Sequence, residues 1–214
     1  MDAATLATAH RPRSGRDHRQ RWKTSWLIER QELSIRPVEV LAGPFAAVAA
    51  ILAVGGAAKA LRPDTAAHAL SALGFPRSIV AVRLLGAAEV AMGAGAMAVG
   101  GRLLPALVAS AYLGFAAFVV LALARGVMLR SCGCFGQLDT PPTAVHVVVN
   151  LAAAVVAGLT ALGGGPGLGE VIADQPFAGV PFLLLTAGAA YAMYLVLAVL
   201  PQTTRAALVG RQAP

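Results

Sequence analysis

The chain carries very little charge for its length. Asp, Glu, Lys and Arg make up 13% of the 214 residues, against about 25% in a typical soluble domain. Hydrophobic residues make up 57%, and the mean hydropathy is +0.71. So few charged side chains cannot cover a water-exposed surface. The composition therefore excludes an ordinary soluble domain and predicts an integral membrane protein in a lipid bilayer.

The basic residues are unevenly distributed. The net charge is +7, and eight of the 17 basic residues precede Pro37. A basic segment ahead of the first membrane span is the usual positive-inside signal, and it can also contact anionic headgroups. This placement argues against nucleic-acid binding. No secretory signal is expected, because the first apolar run begins only near Val40. We predict a basic, flexible cytoplasmic tail over 1–37.

Long apolar runs recur along the rest of the chain. A helix of about 20 apolar residues crosses a bilayer. The predicted spans are Val40–Ala58, Ile79–Gly100, Leu103–Ala124, Val145–Leu162 and Pro181–Leu200. These runs predict an all-α polytopic transmembrane bundle, with four core spans in a domain over 38–162. A Gly/Pro-rich loop over 163–178, a fifth transmembrane helix over 179–201 and a short tail over 202–214 follow. A short surface helix is expected between Asp64 and Leu73.

Basic residues between the spans predict the orientation. With the N-terminus inside, nine basic residues lie on the inner side, including Arg102, and six lie on the outer side. The dense N-terminal cluster should decide the topology. We therefore expect a multi-pass protein of the cell membrane, with a cytoplasmic N-terminus and an extracytoplasmic loop over 125–144.

Cysteine is almost absent, since Cys132 and Cys134 are the only two, and Gly133 alone separates them. As a redox pair they would form a disulfide that bends the backbone sharply, which glycine tolerates, and that is easily reduced. As a structural staple they would gain little, because the closed loop is so short. As thiolate ligands they could bind copper or zinc, with only His146 near enough to help. We favour the redox pair and keep the metal site as its alternative.

Glu89 is an unusual residue for a membrane span. It lies ten residues into the second span, about 15 Å deep. A carboxylate at that depth must face the bundle interior and find a partner, or stay protonated. Arg83, six positions away, does not share its helical face. Asn150 is a candidate partner across the bundle, and proton transfer is a candidate role. A small transporter is a further alternative that rests on Glu89 and Arg83 alone.

Several cationic or titratable residues should lie on the side of the cysteine loop. Lys59, Arg83 and Arg130 could lower the pKa of a nearby thiol and raise its thiolate fraction. For Lys59 and Arg83 the alternative is contact with lipid headgroups. His146, at the start of the fourth span, could accept a proton, or it could be a satisfied helix residue.

Three stretches together resemble a known family. They are "KALRPDTAAHALSALGFP", "GAAEVAMGAG" in the second span and "CGCFG" before the fourth. Over about residues 43–162 the chain resembles the MauE family, named for methylamine utilisation, within the wider DoxX-like group. The resemblance implies a four-helix membrane bundle associated with thiol redox, beside a thioredoxin-like partner. It implicates Cys132, Cys134, Phe135 and Gly136, with Lys59 and Glu89 as matching polar positions.

These observations lead to a functional hypothesis. We expect a membrane thiol–disulfide oxidoreductase that passes electrons between an extracytoplasmic protein, thioredoxin-like or disulfide-containing, and a membrane acceptor. Cys132, Cys134, Glu89, Lys59 and His146 are its predicted catalytic residues. With a single cysteine pair there is no second shuttle pair, so the protein must react directly with its partner or with a quinone. Glu89 and the helical bundle motivate a membrane quinone as the acceptor that we hypothesise. The alternative is a non-catalytic or copper-handling membrane subunit that uses the same thiolates.

Overall fold

The computed structural model describes residues 37–127, 141–173 and 176–198. Residues 1–36 of the tail predicted over 1–37, the cysteine pair and the end of the chain lie outside these ranges, whereas Pro37 begins the first described helix. The described residues form an all-α fold, as predicted. Its helices are α1 (Pro37–Leu61), α2 (Asp64–Ala72), α3 (Ile79–Val99), α4 (Leu103–Ala124), α5 (Ala144–Gly163), α6 (Leu168–Ala173), a short 3-10 helix (Pro176–Gly179) and α7 (Val180–Ala198).

Five of these helices are long and apolar enough to cross a membrane. The candidate spans are Val40–Leu61, Ile79–Val99, Leu103–Ala124, Ala144–Gly163 and Val180–Leu197. The five predicted spans are thus confirmed to within a few residues. The first span differs in one respect, because α1 continues through Lys59 to Leu61. The short helix predicted between Asp64 and Leu73 is α2.

The segment predicted as a Gly/Pro-rich loop contains more structure than expected. Gly164 ends α5 in a left-handed conformation, with φ of 72°. The chain then forms α6, and the carboxylate of Glu170 accepts a hydrogen bond from the backbone N–H of Gly167 at 3.3 Å. An acidic side chain satisfies a free donor at a helix start in this way. Local capping therefore gives a short helix in a segment whose composition favours a loop.

The bundle is organised around α1. This helix packs closely along α3 and also contacts α5 and α7, while α4 pairs with α5. The core holds many small residues, and it is lined by Phe45, Val48, Leu52, Val108 and Tyr112 among others. Small residues at helix contacts let backbones approach, which is how helices associate in lipid. In contrast, α7 is mostly exposed on the outside of the bundle.

The order of the helices brings several chain segments to one end of the bundle. Since successive spans run in opposite directions, α1 and α4 finish at the same end at which α3 and α5 begin. We call this the loop end. The short helix α2 connects α1 to α3 there, and residues 125–143 connect α4 to α5 there. The cysteine pair belongs to that second connection.

Candidate functional site

A buried ion pair joins the first two spans. The ammonium nitrogen Nζ of Lys59 donates a hydrogen bond to Oε2 of Glu89 at 2.7 Å. Lys59 is 6% exposed and Glu89 is fully buried. Among the described residues no other ion pair is buried. Because each charge would be very costly alone in an apolar bundle, the two side chains neutralise each other.

The direction of the Lys59 side chain explains how it reaches Glu89. Side chains on a helix lean towards its N-terminus. Lys59 is near the C-terminus of α1 at the loop end, so its side chain leans into the bundle and away from the headgroups. Since Lys59 is buried and bonded to Glu89, the alternative that it contacts lipid headgroups is wrong. Arg83 is exposed on the outer surface of α3. Its contact with lipid headgroups stays a prediction.

Glycines bring α1 and α3 close enough for this pairing. A Cβ atom at Gly86 would lie 2.5 Å from the carbonyl oxygen of Gly56 and 2.8 Å from the backbone nitrogen of Ala60. A Cβ atom at Gly93 would overlap the carbonyl oxygen of Ala49. No side chain fits at these two positions unless the helices move apart. The backbone contact places Lys59 directly beside the next turn of α3, which carries Glu89.

Helix α4 contributes aromatic side chains to the site. The ammonium of Lys59 lies 4.7 Å from the centre of the Phe115 ring, in cation–π contact. Tyr112 packs edge-on against Phe115, with ring centres 5.9 Å apart, and its hydroxyl donates to the carbonyl oxygen of Val48 at 2.8 Å. This hydrogen bond ties α4 to α1 and fixes the height of the aromatic ring beside the ion pair.

A cavity of about 480 Å³ lies next to the pair. Its walls come from α2, α3 and α4, and both Lys59 and Glu89 line it. Carboxylate oxygen Oε2 is engaged by Lys59, whereas Oε1 is buried and has no hydrogen-bond partner among the described residues. The site therefore combines a charged, incompletely satisfied group with an otherwise apolar space.

His146 has a structural contact at the loop end of α5. The backbone N–H of Thr143 donates to His146 Nδ1 at 3.3 Å, and the Thr143 hydroxyl oxygen lies 3.0 Å from the same atom. This arrangement resembles a capping box, in which the third residue of a helix reaches back to its start. The imidazole is buried and also interacts with the backbone of Leu197 in α7. A role of His146 as a proton acceptor stays a prediction.

The expected partnership between Glu89 and Asn150 is wrong. The side-chain amide of Asn150 donates to the backbone carbonyl of His146 at 2.7 Å, one turn earlier on the same helix. This local bond satisfies the amide donor without crossing the bundle. The partner of Glu89 is Lys59, on a different helix from the one expected. The lack of pairing between Arg83 and Glu89, which their spacing predicts, agrees with the structure.

The remaining predicted site residues lie outside the described part of the chain. These are Cys132, Cys134, Phe135, Gly136 and Arg130. Conversely, the sequence did not identify Phe115, Tyr112 or the glycines of α3 as parts of the site. The spacing of Gly86 and Gly93, seven residues apart, is a signal that could have identified the face of α3 that meets another helix.

Taken together, the five apolar helices and the charged pair buried between them define a multi-pass membrane protein with an intramembrane polar site. The family model described as methylamine utilisation protein MauE matches residues 38–163, more than half of the chain. The chain belongs to this family, as the resemblance predicted. The match covers α1 to α5 and ends before α6 and α7. No curated protein and no solved structure matches the chain significantly.

Proposed function

We propose that this protein is a membrane thiol–disulfide oxidoreductase that uses Cys132 and Cys134. Its partner would be an extracytoplasmic protein, either thioredoxin-like or itself containing a disulfide. The observation that carries the proposal is the buried Lys59–Glu89 pair in the helices around the loop end. Apolar residues would pack a bundle at least as well as a buried ion pair does. An intramembrane charge pair beside a cavity is therefore better explained by a role in moving charge.

Disulfide exchange with the partner proceeds in two steps. A partner thiolate attacks one sulfur of the Cys132–Cys134 disulfide, a mixed disulfide forms, and the other cysteine leaves as a thiolate. The partner's second thiolate then breaks the mixed disulfide. The partner is now oxidised, and Cys132 and Cys134 are both reduced. To begin another cycle, the reduced pair must lose two electrons and two protons to an acceptor.

A membrane quinone is the acceptor that we propose. It takes up two electrons and two protons as the disulfide forms again, and it leaves as a quinol. Lys59 and Glu89 can share a proton across 2.7 Å, so their proposed role is to hold and pass protons in this step. The orientation we propose has a cytoplasmic N-terminus and an extracytoplasmic cysteine loop, supported by the excess of basic residues on the inner side.

Thiol exchange in the purified full-length protein tests this proposal. The protein is mixed with a reduced thioredoxin, and its free thiols are counted over time by maleimide mass shift. We expect the disulfide to open with the wild type and no mixed disulfide to form with Cys132→Ser/Cys134→Ser. The absence of any exchange, together with copper retained in proportion to protein, would instead support the copper-handling alternative.

A second arm tests the ion pair. Lys59→Met/Glu89→Leu removes both charges together, so neither is left unpaired. We expect thiol exchange with thioredoxin to continue in this variant, and quinone-dependent reoxidation to slow by about a hundredfold, as on loss of a general acid–base group. Unchanged reoxidation would remove the pair from the mechanism.

A further inference from the structure

The cavity beside the ion pair opens sideways between α3 and α4. Leu85 on α3 is 45% exposed and Leu107 on α4 is 40% exposed, and both line the cavity. The two helices are consecutive, yet they contact each other far less than α1 contacts α3. At the level of the spans the surrounding medium is lipid. The cleft between α3 and α4 that Leu85 and Leu107 line therefore faces the bilayer, and we call it the mouth of the cavity.

The inner end of the cavity is polar, and the rest is apolar. The hydroxyl of Ser110 also lines the space, but it donates to the carbonyl oxygen of Ala106 in its own helix at 2.9 Å. Lys59 and Glu89 are the charged groups that a ligand would meet, and Ser110 keeps only acceptor capacity. The walls near them are Met92, Phe115 and Phe118. A ligand that fits must have a compact polar group attached to an apolar body.

The unused hydrogen-bonding atoms of Lys59 and Glu89 determine which polar group a ligand must carry. Glu89 Oε1 is buried without a donor, and an unsatisfied buried acceptor is costly. Lys59 has three N–H donors, of which one is given to Glu89. The inner end therefore offers an acceptor and a donor side by side. A ring hydroxyl satisfies the acceptor, and a ring carbonyl satisfies the donor.

We infer that this cavity binds the ring of a prenylated quinone or quinol, which enters from the bilayer between α3 and α4. The quinol hydroxyl donates to Glu89 Oε1, and the quinone carbonyl accepts from Lys59 Nζ. The Phe115 and Phe118 side chains contact the ring, and the prenyl tail leaves past Leu85 and Leu107 into lipid. The volume of about 480 Å³ lies in the range of small-molecule sites, about 300–1,000 Å³. The inference rests on the proposed function and gives its acceptor a location.

The mouth of the cavity provides the test. Leu107→Trp places a large side chain at the mouth without touching the ion pair. Leu113→Trp is the matched control, because Leu113 is on the same helix, is 52% exposed and does not line the cavity. Binding of a short-chain ubiquinone to the purified full-length protein is measured in detergent by equilibrium dialysis. A photoreactive azidoquinone then labels the protein, and the labelled peptides are identified by mass spectrometry.

We expect Leu107→Trp to weaken quinone binding by about tenfold or more, because an overpacked site excludes its ligand. Leu113→Trp should leave the affinity within about twofold of the wild type, a small difference on the affinity scale. The azidoquinone should label residues that line the cavity. Equal affinity in the two variants, or labelling confined to residues outside the cavity, would overturn the inference. A phospholipid that stays in the cavity and is not displaced by quinone would overturn it as well.

Thiol exchange with reduced thioredoxin, measured on the same preparations, separates this inference from the proposed function. Exchange without quinone binding would overturn the inference and leave the thiol function standing. Quinone binding that is lost in Leu107→Trp, in a protein without exchange, would support the site and contradict the thiol function.

Discussion

Lys59 and Glu89 are thirty residues apart in the sequence, and their side chains meet at 2.7 Å between α1 and α3. The contact depends on the glycine-mediated approach of the two helices and on the inward lean of the lysine side chain. Both charges are buried in the bundle, so each needs the opposite charge of the other to offset the cost of its desolvation. This relationship connects the packing of the fold to the proposed chemistry.

Removing one member of the ion pair should destabilise the protein strongly. Lys59→Met leaves the Glu89 carboxylate buried without its counter-charge, and we expect a loss of about 3–5 kcal/mol in the free energy of unfolding. The double variant Lys59→Met/Glu89→Leu should recover most of that loss, since an apolar pair replaces the charged one. Reversible unfolding in mixed micelles measures both values. A double variant as unstable as the single one would contradict the pairing.

Gly86→Ala should separate α1 from α3. The added methyl group would lie within 2.5 Å of the Gly56 carbonyl oxygen, so the helices must shift, at a cost of about 1–3 kcal/mol in unfolding free energy. Gly158→Ala in α5 is the matched control, because a Cβ atom there meets nothing within 4 Å. Alanine favours the helix over glycine, so the control should be neutral or slightly more stable. Equal effects in the two variants would refute the close crossing.

Tyr112→Phe should loosen the attachment of α4 to α1. The variant keeps the ring that packs on Phe115 and removes the hydroxyl that donates to Val48. We expect a loss of about 1 kcal/mol in unfolding free energy, the usual value for one hydrogen bond. Tyr191→Phe, at a residue that is 62% exposed on α7, serves as the control and should change little. A loss of the same size in both would show that the Tyr112 hydroxyl has no special role.

The fold was largely predictable from the sequence, because apolar runs of helical length have few alternatives in a bilayer. The start of α6 was not, since one Glu170 side chain caps a segment whose composition favours a loop. That Glu89 faces the bundle interior and has a partner was predictable from its depth alone. Its partner was not, because the choice between Lys59 and Asn150 depends on which helices cross and at what height. That crossing is set by the close backbone contact between α3 and α1 at Gly86. The residue pattern of α3 alone does not show that α1 is the helix that packs there.

The proposed function requires that Cys132 and Cys134 form an exchangeable disulfide outside the cytoplasm. Labelling of intact cells with a membrane-impermeant maleimide, with and without prior reduction, tests it most directly. We expect both cysteines to be labelled only after reduction. Cys132→Ser/Cys134→Ser, which removes both thiols, is the control and should remain unlabelled. Labelling that requires a broken membrane would contradict the orientation, and labelling without reduction would contradict the disulfide.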